Sequence, residues 1–222
     1  CGPWTLSAQV ELSNGHVIQT DVGALRDVHD SLAEGIANQV REVAARCPGA
    51  QVVVQLDEPS LPAVLAGTLP TASGYGRLAA IEESVVLEQT REFIERLGVP
   101  VMMHSCAAAP PIALAREAGA HAFSGDLALM DISDYDAIGA ALEEDFALYL
   151  GVFGRSVANP SRIDAAAAQI RSLGTNIGLS SETMRTQLGI SPSCGLAEFS
   201  ETDAIVQLRG VKSVAKQLSE SG

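Results

Sequence analysis

Val101-Met-Met-His-Ser-Cys106 is a short apolar run that closes on a histidine and a cysteine two residues apart. On a strand, such residues project from the same face. Imidazole and thiolate would then leave the strand end side by side, as half of a zinc site. Two further segments end in the same style. Val52-Val-Val-Gln-Leu-Asp-Glu-Pro59 is an apolar strand finishing in carboxylates, and Gly189-Ile-Ser-Pro-Ser-Cys-Gly-Leu196 offers Cys194. Strands with reactive groups at their C-terminal ends decide the reading of the whole chain.

Between these strands run helical patterns. Leu25, Val28, Leu32, Ile36, Val40 and Val43 recur at helical spacing over 24–46, until Pro48-Gly49 stops them. Further helices are expected over 78–97, from Pro111 to near Gly119, and over 132–144, 162–173 and 201–220, with a short one starting at Ser180. Strands are expected around Trp4, Val53, Met102, Phe123, Leu150 and Ile190. Alternating strands and helices call for a parallel sheet wrapped by helices. Ligands collect at the carboxyl ends of strands in a (β/α)8 barrel and in an open doubly wound sheet alike. No glycine-rich phosphate loop follows the first strand, and the reactive residues spread over four strands, so the expectation is an α/β TIM (β/α)8 barrel. Six strands fall short of eight. The abrupt opening Cys1-Gly-Pro-Trp-Thr suggests that residues 1–222 are a single barrel domain, the C-terminal part of a longer chain, with the first strands upstream.

Composition narrows the partners. The 222 residues are 47% hydrophobic but only 4% aromatic, the balance of aliphatic helix–sheet packing. A net charge of −13 and a pI near 4.6 oppose a nucleic-acid or anionic-membrane partner, since the phosphate term would repel. No apolar run approaches the roughly 20 residues of a membrane span. Cys1, Cys47, Cys106 and Cys194 are widely spaced and no secretion signal precedes them, which points to reduced thiols and a cytoplasmic location.

A catalytic zinc needs three protein ligands and an exchangeable position. His104 and Cys106 supply two, and Cys194, followed by Gly195, is the third candidate. Asp126, ending the next strand, is the fourth. Against this stands a plainer reading, a core histidine and buried free cysteines. Such a zinc site would bind a substrate thiol as thiolate, a better nucleophile at neutral pH. Asp57 would take the ammonium of an amino-acid substrate, or else belong to a solvated carboxylate pair with Glu58.

Four segments together resemble the C-terminal catalytic domain of cobalamin-independent methionine synthase. Gly2-Pro-Trp-Thr5 is similar to that family's Gly-Pro-x-Thr strand, and Gln55-Leu-Asp-Glu-Pro-Ser-Leu61 to its Gln-Ile-Asp-Glu-Pro-Ala-Leu. His104-Ser-Cys106 is similar to its His-Met-Cys, and Ser191-Pro-Ser-Cys-Gly-Leu196 to its Asn-Pro-Asp-Cys-Gly-Leu. The resemblance implies a (β/α)8 barrel, zinc on His104, Cys106 and Cys194, and homocysteine as the thiol, its amino group at Asp57. The family's fourth ligand is a glutamate, and Asp126 stands in its place, one methylene shorter. A second departure concerns the methyl donor. The family's Gly-Val-x-Asp-x-His-Ser, whose Asp and His serve proton transfer with the folate, here reads Gly151-Val-Phe-Gly-Arg-Ser-Val157. Without that acid, an unactivated methyl-folate lacks its proton donor. The expected donor is therefore a corrinoid or corrinoid protein, whose leaving group needs no proton. Two alternatives remain: a degenerate barrel that binds zinc or a thiol without turnover, and a uroporphyrinogen decarboxylase-type enzyme, against which the scarcity of arginine near strand ends counts.

Overall fold

The computed structural model describes residues 1–144 and 146–220, which fall into two units. The first comprises Cys1–Ser105 and Ala113–His121, the second Cys106–Ile112 and Ala122–Gly222.

In the first unit the elements are α1 (Pro3–Gln9), α2 (Val22–Arg46), β1 (Val54–Asp57), α3 (Leu61–Ala66), α4 (Glu83–Leu97), β2 (Val101–Ser105) and most of α5 (Ile112–Glu117). β1 and β2 are parallel, with Val54 opposite Val101 and Asp57 opposite His104. Trp4, Leu56, Leu61, Val86, Phe93 and Met103 form the core of this unit. Asp21 caps α2 by accepting from the Ala24 amide at 2.9 Å, satisfying one of the donors that a helix start leaves open.

The strand expected around Trp4 is a helix. Extended backbone stops at Gly2, and Pro3 opens α1 at the position where a missing N–H costs nothing. The next amides are then capped from far along the chain. Glu58 accepts from Trp4 N at 2.9 Å and from Thr5 N at 2.6 Å. A glutamate 53 and 54 residues away supplies the cap, which no local pattern announces. α3 is a helix beyond those expected: Pro62 is tolerated in its first turn, and Gly67 closes it with φ 64°. The helix expected from 78 begins at Glu83, and the strand expected around Val53 begins at Val54.

The second unit holds β3 (Ala122–Asp126), α6 (Tyr135–Glu143), β4 (Ala147–Val152), α7 (Pro160–Asn176), α8 (Ser181–Gln187), β5 (Leu188–Pro192) and α9 (Glu201–Ser219). Its strands are parallel and adjacent in chain order. Asp126 lies opposite Gly151, and Gly151 opposite Ser191, so their C-terminal ends are level. Asn159, Ser180 and Ser200 cap α7, α8 and α9 through their side chains. Phe123, Ile138, Leu148, Leu150 and Ile170 fill the core. The fold class is α/β with five parallel strands among the described residues, and none of its helices is long and apolar enough to cross a membrane.

Candidate metal centre

β2 delivers His104. Val101 and Met103 anchor the strand in the core, and the His104 carbonyl accepts from Glu58 N at 2.7 Å, extending the β1–β2 ladder to its last residue. His104 is only 7% exposed, and its Nδ1 is buried without a hydrogen-bond partner. An unsatisfied polar atom in such a place costs free energy unless something else binds it.

Only Ser105 separates His104 from Cys106, so the chain itself holds the two together. Cys194, just past the end of β5, brings its Sγ to 3.4 Å from that of Cys106, and both cysteines are free thiols. The two sulfurs of the second unit, with His104 two residues before Cys106 in the chain, are the candidates among the described residues for holding a metal ion. Burial pushes the Cys106 thiol up to about 11, with the Cys194 hydrogen bond and charge and the Asp126 charge acting in the same direction. The Cys106 sulfur, half-buried beside a second sulfur and a carboxylate, resists ionisation without a cation. A nitrogen and two sulfurs suit zinc, and zinc would satisfy the orphaned imidazole while holding both sulfurs as thiolates.

Asp126 is not among the three. It ends β3, and its Oδ1 accepts from Ala128 N at 3.0 Å, capping the 3-10 turn Leu127–Leu129, and from Ser193 Oγ at 3.0 Å. Sequence reasoning passed over Ser193. Ser193 is 3% exposed, and its hydroxyl also accepts from Gly154 N at 3.0 Å. The close approach that this needs is made by Gly151: a Cβ there would sit 2.6 Å from Ser193 Cα and 2.9 Å from the Gly125 carbonyl. The only advance sign was the tight Ser-Pro-Ser-Cys-Gly spacing itself.

Asp57 ends β1 beside His104 in the ladder, half-buried, with Gln55 Nε2 donating to its Oδ1 at 2.7 Å. Its neighbour Glu58 is no solvated partner. It is buried against α1, and desolvation raises its pKa to about 7 despite the hydrogen bonds that favour its charge. Gly154 lies in a turn where Phe153 and Gly154 have φ 78° and 54°. The following Ser156 gives its carbonyl to the buried Gln207 at 3.0 Å. The stretch from Gly154 to Ser156 contains no acid, and Arg155 points outward to Glu198 at 3.5 Å.

Comparison with known proteins agrees with the four segments. A search of curated proteins found no match. Among solved structures, a protein provisionally assigned as a phosphonomutase from Burkholderia cenocepacia J2315 is similar at 16% identity and TM-score 0.39, over 83% of this chain and 90% of that one. The YdjI aldolase from Escherichia coli K12 is similar at 12% identity and TM-score 0.38, over 85% of this chain and 83% of that one. Both likenesses are too distant to bear on chemistry. The family described as "Cobalamin-independent synthase, Catalytic domain" matches residues 2–217, nearly the whole chain. The protein therefore belongs to the cobalamin-independent synthase family, of which residues 2–217 form the catalytic domain.

Proposed function

We propose that this chain is a zinc-dependent methyltransferase that methylates the thiol of homocysteine from a donor other than ordinary methyl-folate. Methyl transfer to a thiol is the activity that membership of the family supports. The observation that carries the finer reading is the pairing of the Cys106 and Cys194 sulfurs at 3.4 Å, two residues along the chain from a buried imidazole nitrogen lacking any partner.

In this reading His104, Cys106 and Cys194 hold the zinc. Bound there, zinc supplies a positive charge that lowers the pKa of a substrate thiol. Asp57, on the strand beside His104, takes the substrate ammonium and so orients the sulfur. The thiol proton passes to solvent. The sulfur lone pair then forms the S–CH3 bond while the methyl–donor bond breaks, its electron pair leaving with the donor. A folate nitrogen leaves well only when protonated. Gly154 and Ser156 stand where a proton donor would be wanted, and neither can serve as an acid near neutral pH. A methylcorrinoid needs no such proton, because its cobalt retains the electron pair.

Incubation of the zinc-loaded chain with homocysteine and either methylcobalamin or methyltetrahydrofolate, with methionine measured by mass spectrometry, tests the reading. Turnover with methylcobalamin alone is expected. Turnover with the folate would sink the donor inference. Tight zinc binding without turnover from either donor would favour a barrel that binds metal or thiol without catalysis, a reading that the missing acid at Gly154 also suits.

A further inference from the structure

We infer that Gln55 is a positioning residue: it orients the Asp57 carboxylate for the ammonium of an amino thiol and, being uncharged, leaves that carboxylate's charge to the substrate. The inference rests on the reading of Asp57 as the ammonium site and adds the residue that sets its selectivity.

Alternation along β1 puts Gln55 and Asp57 on one face of the strand. Gln55 Nε2 spans the interval between them and donates to Asp57 Oδ1 at 2.7 Å. The main chain beneath Asp57 is fixed on both sides. Its carbonyl accepts from Gly2 N at 2.7 Å, and the amide of the next residue, Glu58, donates to the His104 carbonyl at 2.7 Å. With the backbone and Oδ1 both tied, rotation of the carboxylate is restrained, and Oδ2 is the oxygen left for a ligand. Gln55 is exposed and Asp57 half-buried, so the pair is open to a small molecule.

Charge explains why a glutamine suits this place. Among the described residues no lysine, arginine or histidine forms an ion pair with Asp57. A cation at position 55 would hold the carboxylate as closely but would compete for it with the substrate ammonium. A neutral amide orients it without competing. The ammonium then makes a charge-assisted hydrogen bond, the stronger kind. An anionic thiol that lacks the amine gains nothing from Asp57 and meets an uncompensated negative charge instead. The pair therefore selects amino thiols over acidic thiols of the same length.

Dissociation constants of homocysteine and of 4-mercaptobutyrate for the zinc-loaded full chain, measured by titration calorimetry, test the inference. The second ligand is homocysteine without its amino group. Contacts to sulfur and to the ligand carboxylate are common to both and cancel in the ratio of the two constants. Wild type should prefer homocysteine, and Asp57→Asn should remove most of that preference. Gln55→Ala should weaken homocysteine about three- to tenfold, the range of one hydrogen bond, and leave 4-mercaptobutyrate within about twofold. Gln55→Lys keeps a donor but adds the competing cation, and should weaken homocysteine about tenfold or more without weakening 4-mercaptobutyrate. Gln55 is exposed, so neither variant disturbs the core. Equal weakening of both thiols would mean a merely structural role and would overturn the inference. Unchanged homocysteine binding in both Gln55 variants would overturn it too, while the Asp57 reading would stand if Asp57→Asn still removes the preference. Wild type that binds the two thiols equally, or binds neither, would bring down the Asp57 reading and this inference with it.

Discussion

Glu58 offers a direct probe of how β1 is joined to the start of the chain. The residue is 1% exposed, and its carboxylate accepts two amides of α1 and has its pKa raised from 4.5 to about 7, chiefly by burial. Because the folded-state pKa is the higher one, the folded protein binds the proton more tightly than the unfolded chain. Stability from this group is therefore full below pH 4.5 and is lost as the pH rises through 7. The gap, at about 1.4 kcal/mol per pKa unit, corresponds to about 3 kcal/mol. Glu58→Gln keeps the shape and an acceptor for Trp4 N but turns an NH2 toward Thr5 N, costing about 1–3 kcal/mol at every pH. The variant should thus be the less stable protein at pH 5 and should match or exceed wild type at pH 8. Trp4 is the chain's single tryptophan and sits at this contact, so urea unfolding followed by its emission reads the site itself. A stability difference between the two proteins that stays constant from pH 5 to pH 8 would refute the reasoning. Differencing also cancels the background from His29, which titrates in both proteins.

Other outcomes follow from single contacts. His29 is packed edge-on between Trp4 and Phe93, and burial lowers its pKa to about 4, so its contribution runs opposite to that of Glu58. Wild-type stability should rise relative to His29→Phe between pH 4 and 6.5 and level off above, as read by Trp4 emission. Gly151→Ala forces a Cβ against Ser193 and Gly125 backbone, and should cost about 1–3 kcal/mol in thermal unfolding while weakening metal binding. Cys106→Ser, leaving the fold intact, should lower bound zinc to well under one ion per chain by elemental analysis. Gly154→Asp combined with Ser156→His should raise methyl-folate turnover from background; Gly154 has φ 54°, so the aspartate itself costs about 1 kcal/mol.

What the sequence by itself determined is the class of fold, and it also singled out the residues proposed to hold a metal. Val101–Cys106, Val52–Pro59 and Gly189–Leu196 carry both signals at once, because an apolar run that stops at a reactive residue marks a strand and its functional end together. Helices 22–46, 160–176 and 201–219 were also legible, since period and cap are local properties. Only the tertiary structure decided the rest. Trp4 lies in a helix because Glu58 caps it from across the unit, overriding the extended reading of Gly2-Pro-Trp-Thr. Glu58 looked like half of a solvated pair with Asp57, yet alternation on the strand sent one carboxylate beside His104 and the other into the core. Asp126 and Ser193 are 67 residues apart, and their hydrogen bond exists because Gly151 leaves a gap between them. A candidate ligand is a matter of residue type and strand position, both of which can be read along the chain. The burial, direction and restraint of a carboxylate depend on which distant groups the fold brings against it.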